Sequence, residues 1–291
     1  MPQDVSDAFI KQYERDVHQA YQRRGSFIRP TVRVKTGVKG ASTTFQTTGR
    51  GIAGTKGRHG LVPVMNVSHD PVECTVQDFY AGDWVDKLDE LKINIDERMV
   101  LVNAGAWALG RKTDELIFAQ MAQNTNTAVT MASTSAAAVR NAAIAAVTAL
   151  FSRDIPDDGQ TYACLSWQTW SKLLTVEEFA SADYVDVSGR PFAGKAFQSN
   201  GQWKRWMGVM WTAQNGLPID GNNVRSNFIW HKTAIGHGVG QDVTSDITWH
   251  GDRAAHFVNN MMSQGSCLID NEGVQTLNYD EDGTLPTADT E

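Results

Sequence analysis

The chain has 291 residues, of which 41% are hydrophobic and 20% are charged, so it can bury a large core and is neither disordered nor fibrous. Lys and Arg total 26 against 33 Asp and Glu, and this net charge of -7 argues against a protein whose whole surface grips nucleic-acid phosphates. Three widely spaced cysteines, Cys74, Cys164 and Cys267, exclude a cysteine-rich zinc module and are expected to be buried thiols. No segment predicts a secretory signal or a membrane span.

The N-terminal part of the chain predicts a helix, a strand and a long excursion. Residues 5–24 repeat apolar side chains every four positions, which is typical of an amphipathic helix, and residues 31–38 alternate Val with Arg and Lys as a half-buried strand does. Residues 43–64 have Thr-rich flanks around five glycines, which predicts a two-stranded excursion with a glycine-rich tip. Because a lone hairpin is marginally stable in water, we expect this excursion to need a contact partner outside its own fold.

A long helix is predicted in the next segment. A strand at 72–80 is followed by residues 84–123, whose apolar side chains recur in steps of three and four. This pattern predicts one helix of about forty residues, roughly 60 Å long, which is far longer than the usual eleven or twelve residues. Its many small residues argue against a coiled coil. We therefore interpret it as a spine that crosses a flat molecule.

The second half of the chain predicts a mixture of helices and strands. Residues 124–135 are rich in Thr and Asn and predict a domain boundary. Residues 136–151 predict an Ala-rich helix capped by Ser133 or Ser135, and Ser166 is predicted to cap a short helix. Strands are predicted at 161–165, 204–212, 227–235, 246–250 and 266–269, a loop at 187–202 and a helix at 253–262.

Two glycine-containing motifs resemble nucleotide-binding loops, and their surroundings favour ordinary loops. Gly49, Gly51 and Gly54 have the spacing of a dinucleotide-binding loop, but the residues that follow cannot form the helix that receives the pyrophosphate. Residues 189–196 fall one residue short of a phosphate-binding loop, since Ala196 stands where Ser or Thr must bind magnesium. Both motifs therefore argue only weakly for a nucleotide.

Four histidines invite a metal interpretation, which their spacing does not support. His231 and His237, like His250 and His256, are six residues apart, and neither pair shows the four-residue helical spacing of a zinc protease. The cysteines and serines also lack a recognisable nucleophile motif. We predict no catalytic residue, no cofactor and no metal ion, and the chain is not expected to be an enzyme.

The tip of the excursion is basic and is the candidate contact site. Its basic side chains are Arg50, Lys56, Arg58 and His59. Acidic partners for this tip on a neighbouring subunit are expected among Asp83, Asp86, Asp89 and Glu90. The alternative is a solvated loop tip, where each exposed ion pair contributes little. We favour the contact because a long excursion without a partner is hard to stabilise.

The order of these segments resembles the major capsid protein of tailed bacteriophages, the Hong Kong 97-type fold. The resemblance is carried by SFIRPTVRVKTGVKG, HDPVECTVQDFYAGDWVDKLDELK, ALGRKTDELI and FIWHKTAIG. It implies an α+β fold with an N-terminal arm, an extended loop, a peripheral domain built on the spine helix and a mixed α/β axial domain. The implied bounds are 1–42 for the arm, 43–66 for the loop, 67–129 with 256–291 for the peripheral domain, and 130–255 for the axial domain.

The same resemblance implies a structural function. The chain would be a major capsid protein of the virion that self-assembles in the host cytoplasm, as pentamers and hexamers, into an icosahedral shell around double-stranded phage DNA. Its implied partners are copies of itself, a separate scaffolding protein and a portal, with a decoration protein as a further candidate. It would neither bind DNA sequence-specifically nor contact a membrane. The alternatives are an encapsulin-like nanocompartment shell and a nucleotide-binding enzyme resting on residues 189–196.

Tryptophan usage also bears on assembly. The chain has nine tryptophans, and six of them lie between Trp167 and Trp230. Large aromatic side chains favour dry contacts, including subunit interfaces. Trp203, Trp206 and Trp211 are therefore candidates for contacts around a capsomer centre, with an ordinary core as the equal alternative.

Overall fold

The computed structural model describes residues 25–90, 96–131, 135–180 and 203–281. Its strands are β1 Arg33–Thr36, β2 Ser42–Thr48, β3 His69–Thr75, β4 Gln77–Asp86, β5 Val129–Met131, β6 Thr161–Leu165, β7 Lys204–Trp206, β8 Val209–Ala213, β9 Val224–His231, β10 Ile235–His250, β11 Ala255–Leu268 and β12 Val274–Asp280. Its helices are α1 Lys87–Glu90, α2 Glu97–Met121, α3 Ala136–Phe151, α4 Trp167–Leu173 and α5 Glu177–Ala180. The predicted helix at 5–24 and the predicted loop at 187–202 lie outside the described residues.

The chain divides into two compact units. Among the described residues, the first unit contains Gly25, 78–90, 96–111 and 242–262, and the second contains 26–77, 112–131, 135–180, 203–241 and 263–281. Helix α2 and strands β10 and β11 contribute residues to both. One sheet has the strand order β1-β10-β11-β4, and a second has the order β5-β12-β9-β6-β8-β7.

The six-stranded sheet of the second unit has a hydrophobic core on each face. Successive strand residues point to opposite faces, so Ile229 of β9 packs with the α3 side chains while Phe228 and Trp230 pack with the C-terminal part of α2. Trp206 and Trp211 are buried as well. The chain's own core thus accounts for Trp206, Trp211 and Trp230. For Trp206 and Trp211 the core alternative is confirmed, and the interface prediction is wrong.

Two predicted helix starts in the second unit are confirmed. The hydroxyl of Ser135 accepts a hydrogen bond from the Ala138 backbone N–H at 3.2 Å and caps α3. The hydroxyl of Ser166 accepts one from the Thr169 N–H at 3.1 Å and caps α4. Each cap satisfies a donor that the first helical turn leaves unpaired.

In the first unit, α2 lies very close to the β-strands. The side chain of Asn260 on β11 donates to the carbonyl of Ala81 on β4 at 3.1 Å. A Cβ atom at Gly105 of α2 would lie 2.0 Å from the same Asn260 nitrogen. A glycine is therefore required where the helix passes the strand pair.

The predicted 84–123 helix is partly wrong. Residues Trp84–Asp86 are the last residues of β4, where Val85 is buried and the Trp84 ring lies 4.6 Å from the Phe257 ring. Helix α1 starts only after Asp86, whose carboxylate accepts from the Leu88 N–H at 2.7 Å. The apolar steps of three and four continue smoothly across this strand end, so the periodicity did not reveal it.

The predicted helix at 253–262 is wrong, because these residues enter strand β11. Buried side chains alternate along β11 at Val258, Asn260, Met262 and Gln264, which is strand periodicity. Two of these four buried side chains are amides, and this polarity hides the alternation from a hydrophobicity pattern. The predicted strand at 72–80 is likewise two strands, β3 and β4, and the polar stretch at 124–135 contains β5, which pairs in parallel with β12.

Candidate inter-subunit surface

The predicted excursion is present as a hairpin with a long connecting loop. Strands β2 and β3 pair antiparallel from Ser42 opposite Thr75 to Thr48 opposite His69. The backbone N–H of Gly49 then donates to the Ser68 carbonyl at 2.8 Å, which extends the ladder by one step. The connecting residues 50–66, called the extended loop below, are exposed throughout.

The extended loop exposes large apolar side chains. Leu61 is 95% exposed, Val64 is 90% exposed and Ile52 is 85% exposed, and Val62 and Met65 are exposed as well. Single exposed apolar residues are ordinary, but several in one segment mark a surface that another molecule covers. Sequence reasoning singled out the basic residues of this loop and missed the apolar ones, although Leu61, Val62 and Val64 stand together in the sequence.

The basic tip lies around a tight turn. The Gly60 N–H donates to the Gly57 carbonyl at 3.1 Å, and Lys56, Arg58 and His59 are exposed around this turn. The charges of Lys56 and Arg58 are therefore available to an acidic surface of another molecule.

Arg50 differs from the other three basic residues because it has partners in its own chain. Its guanidinium donates to the Asp154 carboxylate at 3.0 Å, to the Glu272 carboxylate at 2.5 Å and to the Arg153 carbonyl at 2.7 Å. The Arg153 side chain in turn donates to Gln275 at 2.6 Å. These groups hold the start of the extended loop against the residues that follow α3 and those that precede β12. As exposed ion pairs they orient the loop and add little stability.

The root of the hairpin is anchored in a small apolar cluster. Phe45 of β2 is 3% exposed and packs with Cys74 and Cys267. A Cβ atom at Gly236 would lie 2.7 Å from the Phe45 ring, so that position admits only glycine without a shift. The hairpin root is therefore rigidly placed while its tip is exposed.

The predicted acidic partners have local hydrogen bonds. Asp83 accepts from the Trp84 N–H at 2.8 Å, and Asp86 accepts from the Leu88 N–H. Both are exposed residues of the first unit, whereas the extended loop belongs to the second. The side chains of Asp89 and Glu90 lie outside the described part of the chain. Pairing between the tip and this acidic cluster stays a prediction.

A buried carboxylate on α2 holds the chain segment at 26–28 within the second unit. Asp114 is 1% exposed and accepts hydrogen bonds from the Ser26 hydroxyl at 2.5 Å, the Phe27 and Ile28 N–H groups at 3.1 and 3.2 Å, and the Gln214 amide at 3.0 Å. Sequence reasoning missed this residue. The available signal was a charged residue on the buried stripe of an amphipathic helix, between the buried Leu109 and Ile117.

The glycine motif that resembles a dinucleotide-binding loop is an ordinary loop in the structure. Gly49, Gly51 and Gly54 follow β2 and lead into the exposed loop, and no helix begins after them within residues 55–68. Residues 189–196 lie outside the described ranges.

The first of the two histidine pairs, His231 and His237, has partners within the protein. His231 lies 3.1 Å from the Asp158 carboxylate and 2.8 Å from the Thr233 hydroxyl, and the buried His237 contacts Ser266 and Gln264. Within the described ranges, no three residues of the His, Cys, Asp and Glu types are grouped as a metal site. None of the described helices has the length and apolarity that crossing a membrane requires.

The sequence of the chain is similar to that of a known protein family. The family model described as phage capsid protein matches residues 5–281. No curated protein matches the chain.

Among solved structures, the capsid of the cyanophage P-SCSP1u matches at 15% identity with a TM-score of 0.71, over 96% of this chain and 95% of that chain. The mature capsid of bacteriophage PhiM1 matches at 12% identity and a TM-score of 0.70, over 94% and 92%. The capsid of the native GTA particle matches at 12% identity and a TM-score of 0.69, over 95% and 97%. At these identities the structural likeness establishes the fold, and the predicted fold class is confirmed.

Proposed function

The chain belongs to the phage capsid protein family, as a major capsid protein of an icosahedral shell, and from this premise we propose that it assembles as pentamers and hexamers around double-stranded phage DNA. The observation that carries the proposal is the family match over residues 5–281, nearly the whole chain. The proposed role is structural, without catalysis. The proposed partners are further copies of the chain, a separate scaffolding protein and a portal, and the proposed place of assembly is the host cytoplasm.

We further propose that the chain is used as an arm at 1–42, a projecting segment at 43–66 that includes the extended loop, a peripheral domain and an axial domain. The peripheral domain would comprise 67–129 and 256–291, and the axial domain 130–255. Closing a shell from identical subunits requires contacts between two different patches of each subunit, unlike a two-fold dimer. An anchored root with an exposed apolar and basic tip supports the extended loop as one such patch.

Electron microscopy of the purified chain, with and without a scaffolding protein, tests the assembly. We expect closed shells with five-fold and six-fold capsomers. A uniform small species under every assembly condition would contradict the proposal. Shells that co-purify with an enzyme as cargo, in place of packaged DNA, would favour the encapsulin-like alternative.

Charge reversal tests the proposed loop contact. Arg58→Glu at the exposed tip should reduce the yield of shells, because the tip would then repel the acidic cluster of the neighbour. Lys39→Glu is the matched control, since Lys39 is an exposed cation outside the extended loop. Reassembly of the Arg58→Glu variant by a second protein carrying Asp86→Lys would support direct pairing, and equal yields from Arg58→Glu and the parent chain would exclude it.

The negative net charge of -7 supports a container that holds DNA without gripping it, because like charges repel the phosphates. Isolated shells should therefore bind added duplex DNA weakly at moderate salt. Tight binding that weakens steeply with salt concentration would contradict this part of the proposal.

A further inference from the structure

Two cysteines lie side by side at the root of the hairpin that carries the extended loop. Cys74 on β3 and Cys267 on β11 are 0% and 5% exposed, and both belong to the apolar cluster around Phe45. The two side chains pack in this three-residue cluster, and the Cys74 sulfur lies 3.4 Å from the position that a Cβ atom would take at Gly238 of β10. The thiols are close enough to perturb each other's pKa. Both are free thiols in the structure.

We propose that Cys74 and Cys267 form a disulfide bond when the particle leaves the cell, with a hydroperoxide as the oxidant. The biological part of this proposal rests on the proposed function, because the cytosol keeps thiols reduced whereas the surface of a virion is exposed to oxidising surroundings. The chemistry itself depends only on the two side chains being in contact.

The surroundings of the pair divide the roles of nucleophile and resolving thiol. The hydrogen bond from Cys267, aided by that from the Gly238 N–H, lowers the pKa of the Cys74 thiol despite its burial. The same contact and burial raise the pKa of Cys267, which remains a thiol. A thiolate is the reactive form of cysteine, so Cys74 is the first of the two to react once the peroxide reaches this buried cluster.

The reaction balances as two substitutions, the first at an oxygen of the peroxide and the second at the Cys74 sulfur. The Cys74 thiolate attacks an oxygen of hydrogen peroxide, the O–O bond breaks, and a proton converts the departing hydroxide to water, which leaves a sulfenic acid. The Cys267 sulfur then displaces that hydroxyl as a second water, and its proton leaves with it. The pair loses two electrons, and the peroxide gains them. The contact between the sulfurs favours this second step over further oxidation of Cys74.

The disulfide would link the root of the hairpin covalently to strand β11. Cys74 lies on the strand that returns from the extended loop, and Cys267 lies on β11, far along the chain. A cross-link that closes so long a segment removes much conformational freedom from the unfolded chain. The oxidised protein should therefore hold the loop root more firmly.

The test uses the full-length purified chain, reduced and then exposed to a small excess of hydrogen peroxide. Titratable thiols under denaturing conditions should fall from three to one, since the disulfide consumes two of the three cysteine thiols. Peptide mapping should identify a Cys74–Cys267 disulfide, and the melting temperature should rise by roughly 5 °C and return on reduction. Survival of all three thiols, or a sulfinic acid at Cys74 without the disulfide, would overturn the proposal.

Cys164 provides the matched control, because it is buried in a different cluster on the six-stranded sheet. The Cys164→Ala variant should lose both of its remaining thiols on oxidation, whereas Cys267→Ala should form no intramolecular disulfide. A disulfide that includes Cys164 would count against the assignment. Shell formation is scored separately by microscopy. Shells without the disulfide refute this inference alone, and a disulfide in a chain that never assembles refutes the proposed function alone.

Discussion

At the scale of single residues, buried polar groups make the most specific contacts in this chain. Asp114 accepts hydrogen bonds from residues 26–28 and from Gln214 after β8, so one carboxylate connects segments far apart in sequence. Buried donors that lose such an acceptor cost more free energy than the hydrogen bonds themselves contribute.

Replacing Asp114 should therefore be costly. We expect Asp114→Ala to lower the free energy of unfolding by on the order of 3 kcal/mol, because the Phe27 and Ile28 N–H groups are left without their acceptor. Denaturant unfolding measures the loss. Glu115→Ala is the matched control on the same helix, since Glu115 is 64% exposed and pairs with Lys112 at the surface, and it should change stability by less than about 0.5 kcal/mol. Equal losses in the two variants would contradict this account of Asp114.

An ion pair at the end of β12 leads us to predict that the stability of the protein depends on pH. The Arg225 guanidinium holds both oxygens of Glu281, at 2.5 and 2.8 Å, and this hydrogen bonding lowers the pKa of the Glu281 carboxyl. A carboxyl whose pKa is lower in the folded protein stabilises it above the unfolded pKa of about 4.3, and the contribution is lost as the pH falls through the folded pKa. We expect the parent chain to lose on the order of 1 kcal/mol more stability than Glu281→Gln between pH 6 and acid.

Unfolding curves across that pH range test the sign. Glu178→Gln is the comparison variant, because both members of its ion pair with Arg140 are more than a third exposed and solvent screens them. It should change the pH profile less than Glu281→Gln does. Parallel profiles for Glu281→Gln and the parent chain would show that the Arg225 pair contributes nothing.

At the scale of elements, close backbone contacts decide which glycines are replaceable. A Cβ atom at Gly265 of β11 would lie 1.9 Å from the carbonyl oxygen of Thr75, at the end of β3. The Thr75 oxygen belongs to the backbone, so it cannot move aside as the end of a flexible side chain could. The approach of the hairpin root to β11 therefore depends on this one missing side chain.

We expect Gly265→Ala to lower the melting temperature by several degrees, since one or both strands must shift and such overpacking costs roughly 1–3 kcal/mol. Gly57→Ala is the matched control, because the space around its added methyl group is open. It should leave the melting temperature within about 2 °C of the parent chain. Thermal unfolding of both variants decides the matter, and a Gly265→Ala protein as stable as Gly57→Ala would show that the strands move freely.

The elements also show what a sequence can predict. Helix α3 and its Ser135 cap were predictable because propensity, capping and periodicity agree there. Strand β11 was not, because Asn260 and Gln264 occupy its buried face and mimic polar positions. The candidate surface was also only partly predictable. Its glycines and the charges of its tip can be found in the local sequence. The contacts of Arg50 with Asp154 and Glu272 could not be predicted, because only the tertiary structure brings these residues together.

At the scale of the whole molecule, the two ends of the hairpin differ in burial: its root is buried and its tip is exposed. The root packs like a protein core, while the extended loop presents apolar side chains to solvent in the isolated chain. A shell resolves this conflict if a neighbouring subunit covers the loop, because burial of those side chains then stabilises the assembly and not the monomer.

This view predicts that loop variants separate folding from assembly. The double variant Leu61→Asn with Val64→Asn should leave the melting temperature of the unassembled chain within about 1 °C, because both side chains are at least 90% exposed there. Shell yield, measured by sedimentation and microscopy, should fall at least tenfold, since each apolar side chain buried at a contact is worth roughly 1.5–3 kcal/mol. Leu174→Asn, at a leucine that is 45% exposed at the end of α4, is the control outside the loop. Loop variants that assemble as well as the parent chain would show that no neighbour buries these side chains, and the loop would then need another partner.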